Sequence, residues 1–182
     1  MRRRIGAWAA LPALALAVLT AGCSVLEKKE KREAACPTGV IPIDSSRITR
    51  FRDGPGRDLT DVVNEGEILD ILVQCKYDKQ AVNVDLQVAV GGARGPADRS
   101  KIAEFDYFVA IVDADQNIVA KEPFRVRFEF KDNQSKLGSV EELEPHLPLK
   151  DVMKGPTYSI LVGFQLTPEE LAWNRQQRAR NQ

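Results

Sequence analysis

The sequence predicts a mainly β protein: an antiparallel β-sandwich of about seven strands, followed by a short C-terminal helix. Three observations carry this. Apolar and polar residues alternate over several long runs, the period of a strand with one buried face. Turn-forming residues separate those runs, in GGARGPADRS, DADQN, KDNQSKLG and MKGPT. Helical signals are nearly absent until Thr167.

Each element follows in chain order. EILDILVQCKY is apolar on both sides, with Leu69, Ile71, Val73, Cys75 and Tyr77 as the stronger face. VNVDLQVAV sets Val82, Val84, Leu86, Val88 and Val90 against Asn83, Asp85 and Gln87. FRVRFEF opposes Phe124, Val126, Phe128 and Phe130 to Arg125, Arg127 and Glu129. YSILVGFQL aligns Tyr158, Ile160, Val162, Phe164 and Leu166. TPEELAWNRQQRARNQ then opens with Thr167 as N-cap, Pro168 at the first helical position and Glu170 three residues after the cap. That is a capping box followed by helix formers. Arg175, Arg178 and Arg180 lie toward the C-terminal end, where positive charge suits the helix dipole. Leu171 and Trp173 are expected to pin this helix on the sandwich, the alternative being a basic tail that touches anionic lipid or a partner.

This layout resembles immunoglobulin-like or fibronectin-like domains in architecture, without the buried tryptophan of antibody domains. A closed β-barrel is the alternative. A membrane barrel needs an apolar outer surface, and the polar faces of these strands argue against one.

The N-terminus sets the compartment. Arg2, Arg3 and Arg4 precede a mostly apolar run, Ile5 to Thr20, broken by Gly6 and Pro12. That run is short for a spanning helix, which needs roughly 20 apolar residues. A basic start, an apolar stretch and small residues describe a secretory signal. Here Thr20, Ala21 and Gly22 come directly before Cys23, so the segment resembles the lipobox of bacterial lipoproteins. The alternative is an ordinary signal peptide with a chance cysteine. The resemblance implies cleavage before Cys23 and lipidation of that cysteine, palmitate included. Ser24, in place of the Asp that retains lipoproteins at the inner membrane, implies the cell outer membrane, facing the periplasm. The expected organisation is signal peptide 1–22, lipidated cysteine and charged tether 23–36, β-sandwich 37–166, and C-terminal helix with basic tail 167–182.

Removing residues 1–22 lowers Lys+Arg from 26 to 23 against Asp+Glu 26, a net charge of about −3. The slight acidity argues against nucleic acid, which calls for a basic patch. With Cys23 lipidated, Cys36 and Cys75 remain in an oxidising compartment, where disulfides persist. Their pairing would staple the start of the domain to its core; two separate thiols are the alternative. No Cys-x-x-Cys redox motif occurs.

Catalytic and metal chemistry find little support. Asp113, Asp115 and Asn117 have the opening spacing of a calcium loop, but Ile118 and Phe124 stand where Gly and a carboxylate are required. A hairpin turn fits better. His146 is the only histidine, so no multi-histidine zinc site can form within one chain, and no Gly-x-Ser-x-Gly elbow accompanies it. GGARGP lacks the Lys-Ser/Thr of a phosphate loop. Glu141, Glu142 and Glu144 read as a wet face. No catalytic residue, metal or cofactor is expected.

The domain as a whole, and the passage GFQLTPEELAWNR from strand into capped helix, resembles envelope lipoproteins of Gram-negative bacteria, a likeness that brings no functional residue with it. The leading expectation is a non-enzymatic protein-interaction or structural module, tied to the membrane through Cys23 and bound to another envelope protein through an apolar patch or an open strand edge. The alternatives are a small-ligand or glycan module using the GGARGPADRS loop with Tyr107, Trp173 or His146, and a hydrolase with facing carboxylates.

Overall fold

The computed structural model describes residues 35–79, 81–148 and 152–180, and there the alternating segments become the strands of two facing sheets. Sheet A joins β1 (Thr38–Val40), β9 (Ser159–Phe164), β5 (Ile102–Val112) and β6 (Ile118–Glu129) in that spatial order. Sheet B joins β2 (Arg47–Phe51), β3 (Val62–Tyr77), β4 (Ala81–Arg94) and β7 (Lys136–Leu143), with β8 (His146–Pro148) pairing the start of β4. Every pairing is antiparallel except β1 with β9, which is parallel. The chain is therefore a mainly β sandwich ending in one helix, α1 (Pro168–Arg180), and the arrangement is compatible with an immunoglobulin-like architecture. The three-residue strands β1 and β8 add to the expected set.

The core is the meeting of the two inner faces. Val82, Val84, Leu86, Val88 and Val90 of β4 are all buried, as their alternation requires. Val126 and Phe128 of β6 and Phe130 just beyond it face them from sheet A, with Ile160, Val162 and Phe164 of β9. The inner faces are shaped to fit. A Cβ on Gly92 would meet the Phe128 ring at 2.4 Å, so that ring occupies the space a side chain would take.

β3 departs from the expected face at one residue. Ile68 pairs with Val90 and Asp70 with Ala89, so Leu69 is an extra residue, a β-bulge. Before it, Asn64, Gly66 and Ile68 point inward; after it, Ile71, Val73, Cys75 and Tyr77 do. The expectation that Leu69 belongs to the inner face is thus corrected: Leu69 is turned outward and is 57% exposed.

Cys36 and Cys75 form a disulfide with Cα atoms 5.6 Å apart, and the Tyr77 hydroxyl donates to the carbonyl of Ala35 at 2.5 Å. The two links fasten the entry of the domain to the far end of β3. Cys23 and the signal segment lie outside the described residues. Among the described residues no helix is long and apolar enough to cross a membrane.

At the opposite end of β3 the sandwich is held by polar ties. Arg50 donates from Nη1 to the Glu104 carbonyl at 2.6 Å, and its guanidinium lies 5.4 Å from the Phe105 ring centroid. That carbonyl belongs to the part of β5 that continues past the end of β9, where no sheet partner reaches it on that side. The expected capping box forms: Glu170 N donates to Thr167 Oγ1 at 3.2 Å, and Thr167 N donates to Glu170 Oε2 at 2.7 Å. The helix then covers the free edge of β2. Trp173 meets Phe51 edge-on at 4.9 Å, and Asn174 Nδ2 donates to the carbonyls of Arg47 and Asp44.

Candidate interaction surface

The residues singled out in the sequence are spread through the fold. Asp113 closes the β5–β6 hairpin by accepting from the backbone N of Asp115 and Asn117 at 3.0 and 2.9 Å, the chemistry of a turn. Those bonds, the one from the Asn117 backbone foremost, hold its carboxyl below the usual range. The first residues of GGARGPADRS continue β4 as far as Arg94, and Arg94 then pairs with the buried Asp98 carboxylate to brace the loop. Tyr107 is buried between the sheets, stacked on Phe124 at 5.5 Å. Burial, with the nearby Glu141 charge second, pushes its hydroxyl up to about 12. Trp173 sits on α1, while His146 pairs with Asn83 at the other end of sheet B. Nine residues of β4 separate Asn83 from Gly92, about 30 Å. These three residues and the loop do not converge on one pocket.

Nor is the acidic run uniformly wet. Glu142 and Glu144 are exposed, but Glu141 turns partly inward and accepts from Ser139 Oγ at 2.5 Å. Among the described residues no group of three or more His, Cys, Asp or Glu could hold a metal. The carboxyl groups whose pKa values are displaced, Asp58, Asp98, Asp106, Asp113 and Asp132, are all lowered by hydrogen bonds or by neighbouring cations. Such groups stay charged, whereas a general acid needs a raised value.

What the fold does assemble is an unusual outer face on sheet B. The strand register lays its residues in rows across β3, β4 and β7. One row is Glu67, Gly91 and Gly138; the next is Asp70, Ala89 and Val140; a third is Leu72, Gln87 and Glu142. A Cβ on Gly138 would stand in open space, touching only a backbone oxygen at 3.8 Å, and one on Gly91 would meet Leu69 at 3.4 Å. The glycines therefore form a sunken floor beneath Leu69, in a depression of about 430 Å³. Leu69 (57% exposed) lines it, and Val140 (61%) and Leu72 (48%) stand on the same face one and two rows farther on. Large apolar side chains gathered on one outward sheet face are unlike the scattered singles of an ordinary surface.

Beside this depression lies a second, of about 900 Å³, between α1 and the outer side of β2. Phe51 and Trp173 line it, with Arg57 over the Phe51 ring and the strongly exposed Leu59 on its rim. The two share Arg47, Thr49, Glu65 and Glu67 as a common border. Arg47 is paired to Glu67 there at 2.5 Å. Arg175 and Arg178 both bind Asp44, so part of the basic tail is tied to the body of the protein.

The face was hidden from sequence reasoning for a specific reason. Gly91 and Gly138 are far apart in the chain and become neighbours only through the register of β4 with β7. The one available signal was the excess apolar residue in EILDIL, which the bulge puts outside. Comparisons of the chain with protein-family models, with curated proteins and with solved structures found no match.

Proposed function

We propose that this protein is a lipid-anchored envelope protein, held through Cys23 at the outer membrane facing the periplasm, and that it works as a non-enzymatic interaction module. The observation that carries the reading is the outer face of sheet B, where Leu69, Leu72 and Val140 stand exposed beside a glycine floor that Leu69 lines. Two further features support it. The described chain enters at the Tyr77 end of β3, while both depressions lie toward the other half of the sheet. A tether attached at that entry leaves the face accessible away from the membrane. The disulfide and the polar ties at the ends give a rigid frame, and rigid frames lower the ordering cost of binding.

A second reading has one observation in its favour. The groove lined by Phe51 and Trp173 offers an aromatic platform of the kind that small ligands and glycans use. The two readings separate in one experiment in intact cells: crosslinking of wild type, Cys23→Ala, Leu69→Lys and Trp173→Ala, followed by identification of captured proteins. The interaction reading expects one envelope protein, this chain or another, captured reproducibly by wild type and lost in both Leu69→Lys and Cys23→Ala. Capture that is indifferent to Leu69→Lys removes the face from consideration. Loss of a bound glycan or small molecule in Trp173→Ala alone favours the groove.

A further inference from the structure

We propose that the partner seated on the outer face of sheet B is a second copy of this chain, related to the first by a two-fold axis that crosses β7 at Ser139. This rests on the docking reading above and gives that site its occupant. The face is self-complementary under one operation. Take an axis lying in the interface, perpendicular to the strands, and level with Ser139. It reverses strand direction and stacks β7 on β7 and β4 on β4. Residues equally far from Ser139 on either side then exchange places, as an isologous contact requires.

Shape is matched by that exchange. Val140 of each copy falls over Gly138 of the other, and on β4 Ala89 falls over Gly91, because the two rows are aligned residue for residue. The protruding row, with Val140 at 61% exposure, meets the sunken row, where Gly138 leaves open space and Leu69 lies over Gly91. Charge is matched as well. Lys136 and Glu142 close the outward side of β7 at its two ends, six residues or about 20 Å apart, and both are exposed. Neither has a charged partner among the described residues, whereas Arg47 pairs with Glu67 and Lys76 with Asp85 on the same face. The operation sets Lys136 against Glu142 of the other copy, twice. It also brings Glu67 toward Asp70 of the other copy, and Arg47, already bound to Glu67, supplies the cation between them.

The size fits a modest dimer. Four strands span about 20 Å and the usable length is about 25 Å, so each copy covers roughly 500 Å². A total on the order of 1,000 Å² lies at the lower limit of specific interfaces, where affinities are weak. Self-association in the micromolar range is the expectation.

The test is sedimentation equilibrium of the full-length chain in density-matched detergent across micromolar concentrations. Wild type, Val140→Lys, Lys136→Glu and the charge-swapped Lys136→Glu/Glu142→Lys are compared, with thermal unfolding as the check on folding. The expected result is a monomer–dimer equilibrium in wild type, weakened about tenfold or more by Val140→Lys and by Lys136→Glu, a loss of the size given by one or two interface contacts. The swapped pair restores it, a rescue that a merely disturbed surface does not give. A wild type that stays monomeric overturns the proposal, as does a dimer indifferent to all the variants. If wild type is monomeric here yet Leu69→Lys still abolishes capture of a different protein in cells, the second copy is excluded and the docking face stands. If both results are negative, both readings fall.

Discussion

Sheet A and sheet B alternate apolar and polar residues in the same way, yet they turn different outer faces to solvent. On sheet A the outward charges of β5 and β6 sit directly opposite one another. Arg125 holds Asp106 at 2.6 Å, Arg127 holds Glu104 at 2.7 Å and also reaches Glu129, and Lys121 lies over Phe108 while donating to Gln165. Cross-strand pairs of opposite charge each contribute a fraction of a kcal/mol and leave a face that water satisfies. On sheet B exposed Leu69, Leu72 and Val140 and the bare Gly138 stand among the charges of the outer face. The contrast separates two properties that alternation alone merges. Period two shows that a strand buries one side; the chemistry of the other side shows whether that surface is complete in water. Sheet A's is laced with cross-strand ion pairs, with Ile118 and Val119 exposed only near the β5–β6 hairpin. Sheet B's carries its exposed leucines and valine in the middle of the face.

The largest blow to this comparison removes the frame both faces share. Replacing Cys36 and Cys75 by Ser opens a link across a sequence separation of 39, which chain-entropy arithmetic values at about 4 kcal/mol. Chemical denaturation should show the free energy of unfolding falling by that much. A change under about 1 kcal/mol would mean that the reduced unfolded chain is already ordered there. Next comes a pair of glycines on opposite sides of the same sheet. Gly92→Ala drives a methyl into the Phe128 ring and should cost about 1–3 kcal/mol. Gly138→Ala meets open space and should stay within about 0.5 kcal/mol. Equal effects from the two, measured by thermal unfolding, would mean that the inner and outer faces have been misassigned.

Smaller still is Leu69→Lys. It should leave stability within about 0.5 kcal/mol because the side chain is outside, while abolishing capture of the partner. A large loss of stability instead would place Leu69 in the core and erase the bulge. The smallest expected effect tests the ion pairs of sheet A. The Arg125 hydrogen bond holds the Asp106 carboxyl below its ordinary value of 3.8. Its contribution is therefore fully present above that value and is lost as pH falls through the lower, folded one. Arg125→Ala should be nearly silent at neutral pH, as exposed pairs are. It should also flatten the stability–pH profile only below about pH 4, where carboxylates titrate. A variant effect that is largest in acid and fades as pH rises through the carboxylate range would contradict the assignment.

How far the sequence carries toward this picture depends on the range of the interaction. β4 and the capped helix are legible because their signals are local: five valines and leucines at period two, and Thr167 three residues before Glu170. The Cys36–Cys75 pairing was open to reasoning because only two candidates remained once Cys23 was set aside. The inner face of β3 was misjudged at Leu69, since a single inserted residue reverses the parity of everything on one side of it. GGARGPADRS was taken for a turn from its glycines, whereas two of them belong to β4 and serve opposite faces. Arg50 gave no warning either: its role depends on a carbonyl of Glu104 left bare where β9 stops. The candidate face needs two strands in register before it exists, so no single stretch of sequence announces it.

The way α1 sits on β2 has a consequence in time. Strands leave the ribosome in order, and the neighbours of β2 in sheet B are all made before residue 168. Until Asn174 arrives, the Arg47 carbonyl and the rest of that edge are a bare template for any passing strand. The helix works as a stopper fitted last. A chain released without it would carry a complete sandwich and an open invitation to polymerise, so the final dozen or so residues guard the solubility of all those before them.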